Sequence, residues 1–593
     1  MKLVATTTVA HSIELVANGV CPTMSLVATK LGADAVWIYR PSKGTIDPND
    51  RVWDIEPPFS ACHFLWHENG RLFIIADGEG HWGIWNAMDG EKIIDLSVNH
   101  GVDCMLWVNG STRDNIQGEK FKDLTSLTII DDLDTMKNGA LYNQLSRDAI
   151  DFLILANGAN VTLVFAGNFI VNANASVSTA NIFDMDRLIV KGIKSGATLE
   201  WHFVLLQDTV DKSFKVVKLN TKFVNMAKLS DVTFTCSKLQ AAMDIIETSI
   251  KSINGGYRPF VDYTVRIIDF LKEELNNGDP VYELYDLLLT GSCSTSMQKW
   301  LTDYVGDRGI KRWSKLGGTH FENSRSVIFN DLIPSITHLI ANTSKLKSIN
   351  GSLTDSVAFQ ALLKRCYTFS LELSEFERQF EKMMEWLTLI LKEITGDDTK
   401  VLSTDIPQVV KFLGFINEIE NEIMDVGELN ELFNKVGHEI RAIFENVRAE
   451  IRSTVAYEPY VEVYRGGGEM EIEMEVYEDQ LTILKWNKEL VEVVTDRGSI
   501  LSQLWIMPEF DFKGAHLISK DKDQMLFVLG SELAIVRMPP RGSKSIFDRG
   551  MIVKSFSTGF PIGAVAVTVA GAVAVAMHEN GKQFGWISAD FAK

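Results

Sequence analysis

Cysteine is scarce in this chain of 593 residues, and the six present (Cys21, Cys62, Cys104, Cys236, Cys293 and Cys366) lie far apart with no C-x-x-C pair. That spacing argues against a zinc site and for reduced, mostly buried thiols of an intracellular protein. Positive charge is the second shortage. Against 78 acidic residues stand 58 basic ones, a net charge of -20 with no long basic run. Such a surface repels phosphate backbones and anionic lipid, so neither nucleic acid nor a membrane is an expected partner. Catalytic signatures are the third. There is no Gly-Lys-Ser/Thr phosphate loop, no Gly-x-Ser-x-Gly elbow, no His-Glu-x-x-His and no kinase or ligase signature, so no cofactor is expected and an enzyme is the weak reading. Long uncharged runs are nearly absent too. The one that approaches a spanning length, Phe560 to Gly581, is Ala, Val and Gly in near alternation, closed by an Asn580-Gly581 turn; it reads as a buried hairpin.

Some motifs that are present resemble sites and need weighing. Gly78, Gly80 and Gly83 have the G-x-G-x-x-G spacing of a dinucleotide turn. That chemistry needs a helix after the third glycine, so that its amides hold the pyrophosphate. Ile84-Trp85 and the turn Met88-Asp89-Gly90 follow instead, so the pattern is strand, turn, strand, with glycines where a hairpin requires positive φ. His63 and His67 are four apart but flank Leu65-Trp66 before an Asn-Gly turn, which makes them strand histidines rather than metal ligands. Gly291-Ser292-Cys293-Ser294 reads as a helix-to-helix corner with Ser as N-cap. The run Gly466 to Gln480 alternates Glu with Met, Ile or Val and fits an edge strand with one wet face better than a calcium site.

What fills the chain is strand grammar at both extremes and helix grammar between them. "LVATKLGADAVWIYR" (Leu26 to Arg40) and "FIIADGEGHWGIWN" (Phe73 to Asn86) share one order of strand, Gly-containing turn and aromatic strand, and "HENG" at His67 to Gly70 recurs at His578 to Gly581. Tyr39 and Trp85 hold matching places at a spacing close to the roughly 40 to 45 residues of a propeller blade. From Phe359 to Ile394 the apolar positions step by three or four, the seam of a long bundle helix. Other helices are expected at about 237–275, with a kink or break at Gly255-Gly256 and Pro259, and at about 280–305, 308–349 and 405–452. The expected domains are residues 1–232, the first part of a WD40-type β-propeller of about seven blades; 233–453, an inserted antiparallel four-helix bundle; and 454–593, the rest of the propeller.

"YELYDLLLTGSCSTSMQKWLTDYVGDRGIKRWSKL" (Tyr282 to Leu316) resembles the signature of the anaphase-promoting complex subunit 4 family: a leucine-rich helix, a Gly corner at Gly291, the pair Trp300-Leu301, then Gly309, Lys311, Arg312 and Trp313 opening a long helix. "CPTMSLVAT", "VWIYR" and "RVWDI" (within Cys21 to Ile55) look like that family's first blade, and "EFERQFEKMMEWLTLILKEI" followed by "DIPQVVKFL" like its last long bundle helix and the segment after it. The resemblance implies a non-catalytic scaffold of a cullin-RING-type ubiquitin ligase that controls mitotic progression, in nucleus and cytoplasm. Its implied partners are the largest subunit, the fifth subunit and the cullin-RING module. Trp300, Arg308, Lys311, Arg312 and Trp313 are the candidate partner anchors, since aromatic and Arg side chains dominate interfaces. The alternative is that both tryptophans are core and the basic residues pair with the protein's own acids. A propeller-plus-helix scaffold of a coat or trafficking complex is the competing class; it predicts a run of helical pairs after the propeller, not helices enclosed by strands.

Overall fold

The computed structural model describes residues 2–8, 12–32, 35–40, 45–46, 51–111, 149–174, 176–177, 187–196, 200–222, 226–276, 278–350, 356–396, 404–418, 426–464, 470–477, 480–495, 500–518, 524–540, 542–567 and 573–588. It has two compact units: Met1–Ser237 with Asn446–Lys593, and Lys238–Glu445.

The first unit is a β-propeller whose described strands form seven sheets. Each contains a four-stranded antiparallel array. The first runs from Glu14–Val20 to Arg51–Ile55, the second from His63–Trp66 to Lys92–Ser97 and the third from Cys104–Ser111 to Phe169–Asn174. The fourth joins Leu188–Ser195, Trp201–Asp208 and Phe214–Asn220 to the distant Ala456–Tyr464. The fifth runs from Glu471–Tyr477 to Ile500–Trp505 and the sixth from Phe512–Leu517 to Ile552–Ser557. In the seventh, Ile562–Val567, Val573–His578 and Gln583–Ser588 are completed by Lys2–Thr8, antiparallel to Gln583–Ser588. The uncharged run of the sequence is thus two of these strands, with residues 568–572 outside the described residues. First strands of successive sheets lie side by side, the sixth and seventh sheets share one apolar cluster, and Ile562–Val567 returns beside Glu14–Val20. Second strands are buried on both faces, which is why "LFIIA" and "MLFVL" are unbroken apolar runs.

Polar contacts join every pair of neighbouring sheets. Trp66 Nε1 donates to Gly19 O at 2.9 Å and Trp53 Nε1 to Ala87 O at 3.0 Å between the first and second sheets. Asp151 of the third sheet receives His67 Nε2 of the second at 2.7 Å and Trp107 Nε1 at 2.5 Å. The Asp103 carboxylate accepts from Val190 N at 3.1 Å between third and fourth. Lys194 pairs with Glu475, His516 with Glu473 at 3.3 Å, and Lys513 with Glu579, which carries the chain of contacts to the seventh sheet. Ser12 Oγ donates to Asn580 O, and Ile13 N to Gly581 O, both at 2.9 Å, bringing it back to the first. The alternating acidic run is therefore not simply a wet edge: Glu473 and Glu475 reach the sheets on either side, while Met474 from the same strand is buried.

The repeated "HENG" makes one turn twice. Gly70 N and Gly581 N donate back to the carbonyls of His67 and His578, and Asn69 N and Asn580 N donate to the Nδ1 atoms of those histidines. Each turn is pressed against the neighbouring sheet's chain, so a Cβ on Gly70 would meet Thr23 Oγ1 at 2.0 Å and one on Gly581 would meet Ile13 O at 2.4 Å. The G-x-G-x-x-G segment is the hairpin between Leu72–Ala76 and His81–Asn86. Only Gly80 of its three glycines has positive φ, +110°. Gly83 is extended, and its missing Cβ leaves room for the Trp85 ring, 2.8 Å from where that atom would be.

The chain leaves the propeller within the fourth sheet, and Asn220 and Ala456, where it departs and returns, are register partners. Among the described residues of the intervening stretch there are eight α-helices: α1 (Met226–Glu274), α2 (Pro280–Thr290), α3 (Thr295–Lys299), α4 (Gly306–Val327), α5 (Ile333–Asn350), α6 (Ser356–Thr395), α7 (Ile406–Glu418) and α8 (Val426–Thr454). π-turns at Trp300–Val305 and Ile328–Leu332 connect α3 to α4 and α4 to α5; the first turns at Gly306, whose φ is +55°, and the second continues the helix. The kink or break expected at Gly255-Gly256 and Pro259 is not a break, because α1 runs through it. Tyr257 and Phe260, on either side of that proline, pack on His320 with ring centroids at 5.2 and 6.2 Å, and this packing offsets the roughly 3 kcal/mol a mid-helix proline costs. The single helix expected at about 405–452 is two, α7 and α8, with residues 419–425 outside the described residues. The core of this unit is aromatic: Phe260 meets Phe380 at 5.1 Å and Phe321 at 5.8 Å, and Phe376 meets Phe415 of α7 at 4.4 Å.

Candidate interaction surface

The corner from Tyr282 to Leu316 is built by its caps. Asp279 accepts from the amides of Val281 and Tyr282 with Pro280 at the first helical position, and α2 ends at Gly291, in the left-handed region at φ +69°. Ser294 then caps α3 by accepting from Met297 N at 3.2 Å. The Gly-Ser-Cys-Ser stretch is thus a corner and not a nucleophile site.

Of the five residues expected as partner anchors, two are core. Trp300 and Trp313 are 0% exposed. Their indole N–H groups donate inward to α1, Trp300 to Ile267 O and Trp313 to Thr264 Oγ1, both at 2.8 Å. Neither can meet a partner without unpacking the unit. The other three are exposed on α4. Lys311 Nζ lies 2.5 Å from Asp307 across one helical turn, a solvated pair that contributes about 0.3–0.5 kcal/mol. The Arg312 guanidinium sits 5.1 Å from the Tyr263 ring centroid, and Arg266 approaches the same ring at 5.0 Å. Tyr263 and Arg266 were not read from the sequence; their position one turn apart on α1 gives no sign of a ring approached by two guanidinium groups.

Beside this lies a second exposed polar cluster. Lys299 Nζ contacts both Glu274 carboxylate oxygens at 2.9 Å, and Tyr304, stacked on Phe270 at 5.3 Å, donates its hydroxyl to Glu274 at 2.8 Å. The Lys299 hydrogen bond, then that of Tyr304, holds the Glu274 carboxyl below the usual range. Reciprocally, the Glu274 bond raises Lys299 and Tyr304. On α2, Tyr282 and Leu289 are exposed, seven positions apart. Cations, rings and apolar side chains are thus exposed on α2, on α3 with its π-turn, and on α4.

Other titratable groups serve the fold. His202 is fully buried, with Nε2 2.9 Å from Thr221 Oγ1, and burial pushes its pKa down to about 3. Burial likewise lowers His320 and His338 to about 4, and it is also the main reason His63 is lowered. Asp77, Glu79 and His81 could approach one cation, but Asp77 Oδ1 already accepts the amides of Glu79, Gly80 and His81, and Oδ2 meets the His81 ring at 2.7 Å. That arrangement caps a hairpin.

Comparison with known proteins gives two family matches, one in each half of this description. The family described as Anaphase-promoting complex, cyclosome, subunit 4 matches residues 215–397, and the Anaphase-promoting complex subunit 4 WD40 domain matches residues 19–110. Anaphase-promoting complex subunit 4 of Saccharomyces cerevisiae is 25% identical over 233 residues, covering 35% of each chain. The protein of the same name from Schizosaccharomyces pombe is 19% identical over 427 residues, covering 64% of this chain and 57% of that one. The chain thus spans 35% and 57% of the lengths of these curated relatives. Among solved structures, the β-propeller domain of Cps50 (Swd1) from Myceliophteria thermophila is 7% identical with a TM-score of 0.34, covering 98% of this chain and 99% of that one; so slight a likeness carries no weight beside the sheet topology.

Proposed function

The chain belongs to the anaphase-promoting complex subunit 4 family, and from that premise we propose that it is a non-catalytic scaffold subunit of this cullin-RING-type ubiquitin ligase, acting in mitotic progression. In this reading the first unit is a seven-bladed propeller and the second a four-helix bundle, made by α1, by α4 continued into α5, by α6 and by α8. The two hold the largest subunit, the fifth subunit and the cullin-RING module at fixed spacing in nucleus and cytoplasm. The observation that carries it is how the polar groups are used: Asp151, Asp103, Lys194 and Lys513 each join one sheet to the next, as rigid support requires. Arg308, Lys311 and Arg312 form the proposed contact on the helical unit, with Tyr263 and Arg266 behind them.

The test is affinity purification of the tagged chain under native conditions, followed by mass spectrometry. Recovery of cullin, RING and tetratricopeptide subunits of the ligase in stoichiometric amounts is expected; their absence would reject the scaffold reading.

A further inference from the structure

We propose that the outer rim between the fifth and sixth sheets is a docking groove for an extended, acidic segment of another protein that carries bulky apolar residues. A groove of ≈ 430 Å³ opens there, lined by Arg537, Met538, Pro540, Ser545, Met551 and Val553 among others. Its walls belong to sheet edges. Ser545 is part of Ser543–Ile546, the outermost strand of the fifth sheet, and Val553 is part of Ile552–Ser557, the outermost strand of the sixth. Outermost strands present backbone donors and acceptors that an added strand can use, which favours an extended occupant over a helical one.

Large apolar side chains are also exposed on the strands that border it, with Val553 in the lining and Ile546 next to the lining residue Ser545. Ile500, Trp505, Met507, Ile546 and Val553 are exposed, while elsewhere on the described first unit only Met88 and Val210 are large, apolar and exposed. Trp505 (46% exposed) and Ile546 (61%) are register partners on parallel strands and therefore stand on one side of the sheet. Scattered exposed apolar residues need no explanation; a local concentration of this kind marks an interaction site.

Charge gives the sign of the partner. Among the described residues from Arg537 to Lys554, Arg537, Lys544, Arg549 and Lys554 are basic and Asp548 alone is acidic, in a chain whose net charge is -20. Asp548 is engaged locally, accepting from Gly550 N at 2.6 Å. A basic rim around an apolar groove complements carboxylates flanking an apolar anchor. The exposed Ile546 and Val553 call for apolar side chains that a phosphate backbone lacks, so a peptide is the fitting occupant rather than a nucleic acid.

The inference concerns this rim alone and holds whether or not the scaffold reading does. The test is fluorescence anisotropy of the purified full chain with a fluorescein-labelled decapeptide alternating glutamate with phenylalanine and isoleucine. Saturable binding is expected. Lys544→Glu with Lys554→Glu, and separately Ile546→Ser with Val553→Ser, should each weaken it about tenfold. The same peptide with lysine in place of glutamate should not bind. All four substituted positions are exposed, and an unchanged melting temperature is expected for both protein variants. Undiminished binding by the variants, equal binding of the lysine peptide, no binding at all, or preferential binding of a single-stranded oligonucleotide overturns the proposal. Because no other ligase subunit is in the assay, its failure leaves the co-purification result unaffected.

Discussion

The two units solve the same problem by different means. In the propeller, neighbouring sheets meet through directional contacts: an indole on a carbonyl, His67 and Trp107 on one carboxylate, Lys194 on Glu475. In the helical unit, elements meet through volume, with Phe260, Phe321, Phe376 and Phe380 filling the space between α1, α4 and α6. A sheet can slide or rotate against its neighbour with little loss of apolar contact, so a hydrogen bond is needed to fix its place. Interlocked rings on helices fix theirs by shape. Hydrogen bonds thus carry more of the register in one unit, and ring packing more of it in the other, where the inward bonds of Trp300 and Trp313 add to it.

That contrast can be broken by mutation. The largest effect should come from Phe380→Ala, at about 4 kcal/mol, by leaving a cavity among the rings. Hydrogen exchange should show α4 and α6 opening while the sheets keep their protection; equal loss in both units would mean that their cores are not separate. Next is Asp151→Ala, at about 3 kcal/mol, because it strands the buried His67 and the half-buried Trp107 as donors. Here the second and third sheets should lose protection and the helices should not. Gly317→Ala should cost about 2 kcal/mol, since its Cβ would lie 2.3 Å from the Phe380 ring. Adding Phe380→Leu should recover part of that loss in urea unfolding, a rescue expected of a steric core only.

Acid sharpens the comparison further. His202, His320 and His338 are held neutral by burial, their pKa values lowered to about 3, 4 and 4. The unfolded chain takes up these protons below about pH 6.5 while the folded chain does not, so stability falls as pH drops from there toward the folded values. For His320 the loss at about pH 5 is on the order of 1–2 kcal/mol. In the propeller the exposed His81 acts in the opposite sense: its hydrogen bond to Asp77 raises it, so it favours the folded state below its ordinary value and loses that effect as pH rises through the raised one. Since His202 and the lowered His63 belong to the propeller and His320 and His338 to the helical unit, both units should lose stability in acid, and His320→Phe should flatten the melting profile of the helical unit alone between about pH 7 and pH 5. Smallest in stability, at no more than about 0.5 kcal/mol, is Lys311→Glu with Arg312→Glu. These changes should weaken recovery of the ligase subunits without moving either unfolding transition; unchanged recovery would reject α4 as a contact.

Periodicity made some of this legible. The seam from Phe359 to Ile394 falls on α6, because residues three and four apart must share a helix face whatever they pack against. The same rule could have placed Trp313 in the core, since Trp313, Gly317, His320, Phe321, Ser324 and Ile328 form one buried line on which Arg308, Lys311 and Arg312 do not fall. The hairpin at Gly80 was legible because it lacks any following helix. Contacts between sheets were not. His67 and Asp151 are 84 positions apart, and no local pattern announces such a pair. The rim groove was hidden for a related reason: Ser543–Ile546 is short and becomes an edge only by pairing with Ile500–Trp505.

The pairing of Lys2–Thr8 with Gln583–Ser588 also sets a timetable. On a ribosome adding roughly 5–20 residues per second, the first strand waits from about half a minute to two minutes for its partner. Throughout that interval the seventh sheet has no closing strand and the ring has a gap. The first strand is thus exposed to mispairing until Gln583–Ser588 has emerged, and that exposure ends when the two strands pair.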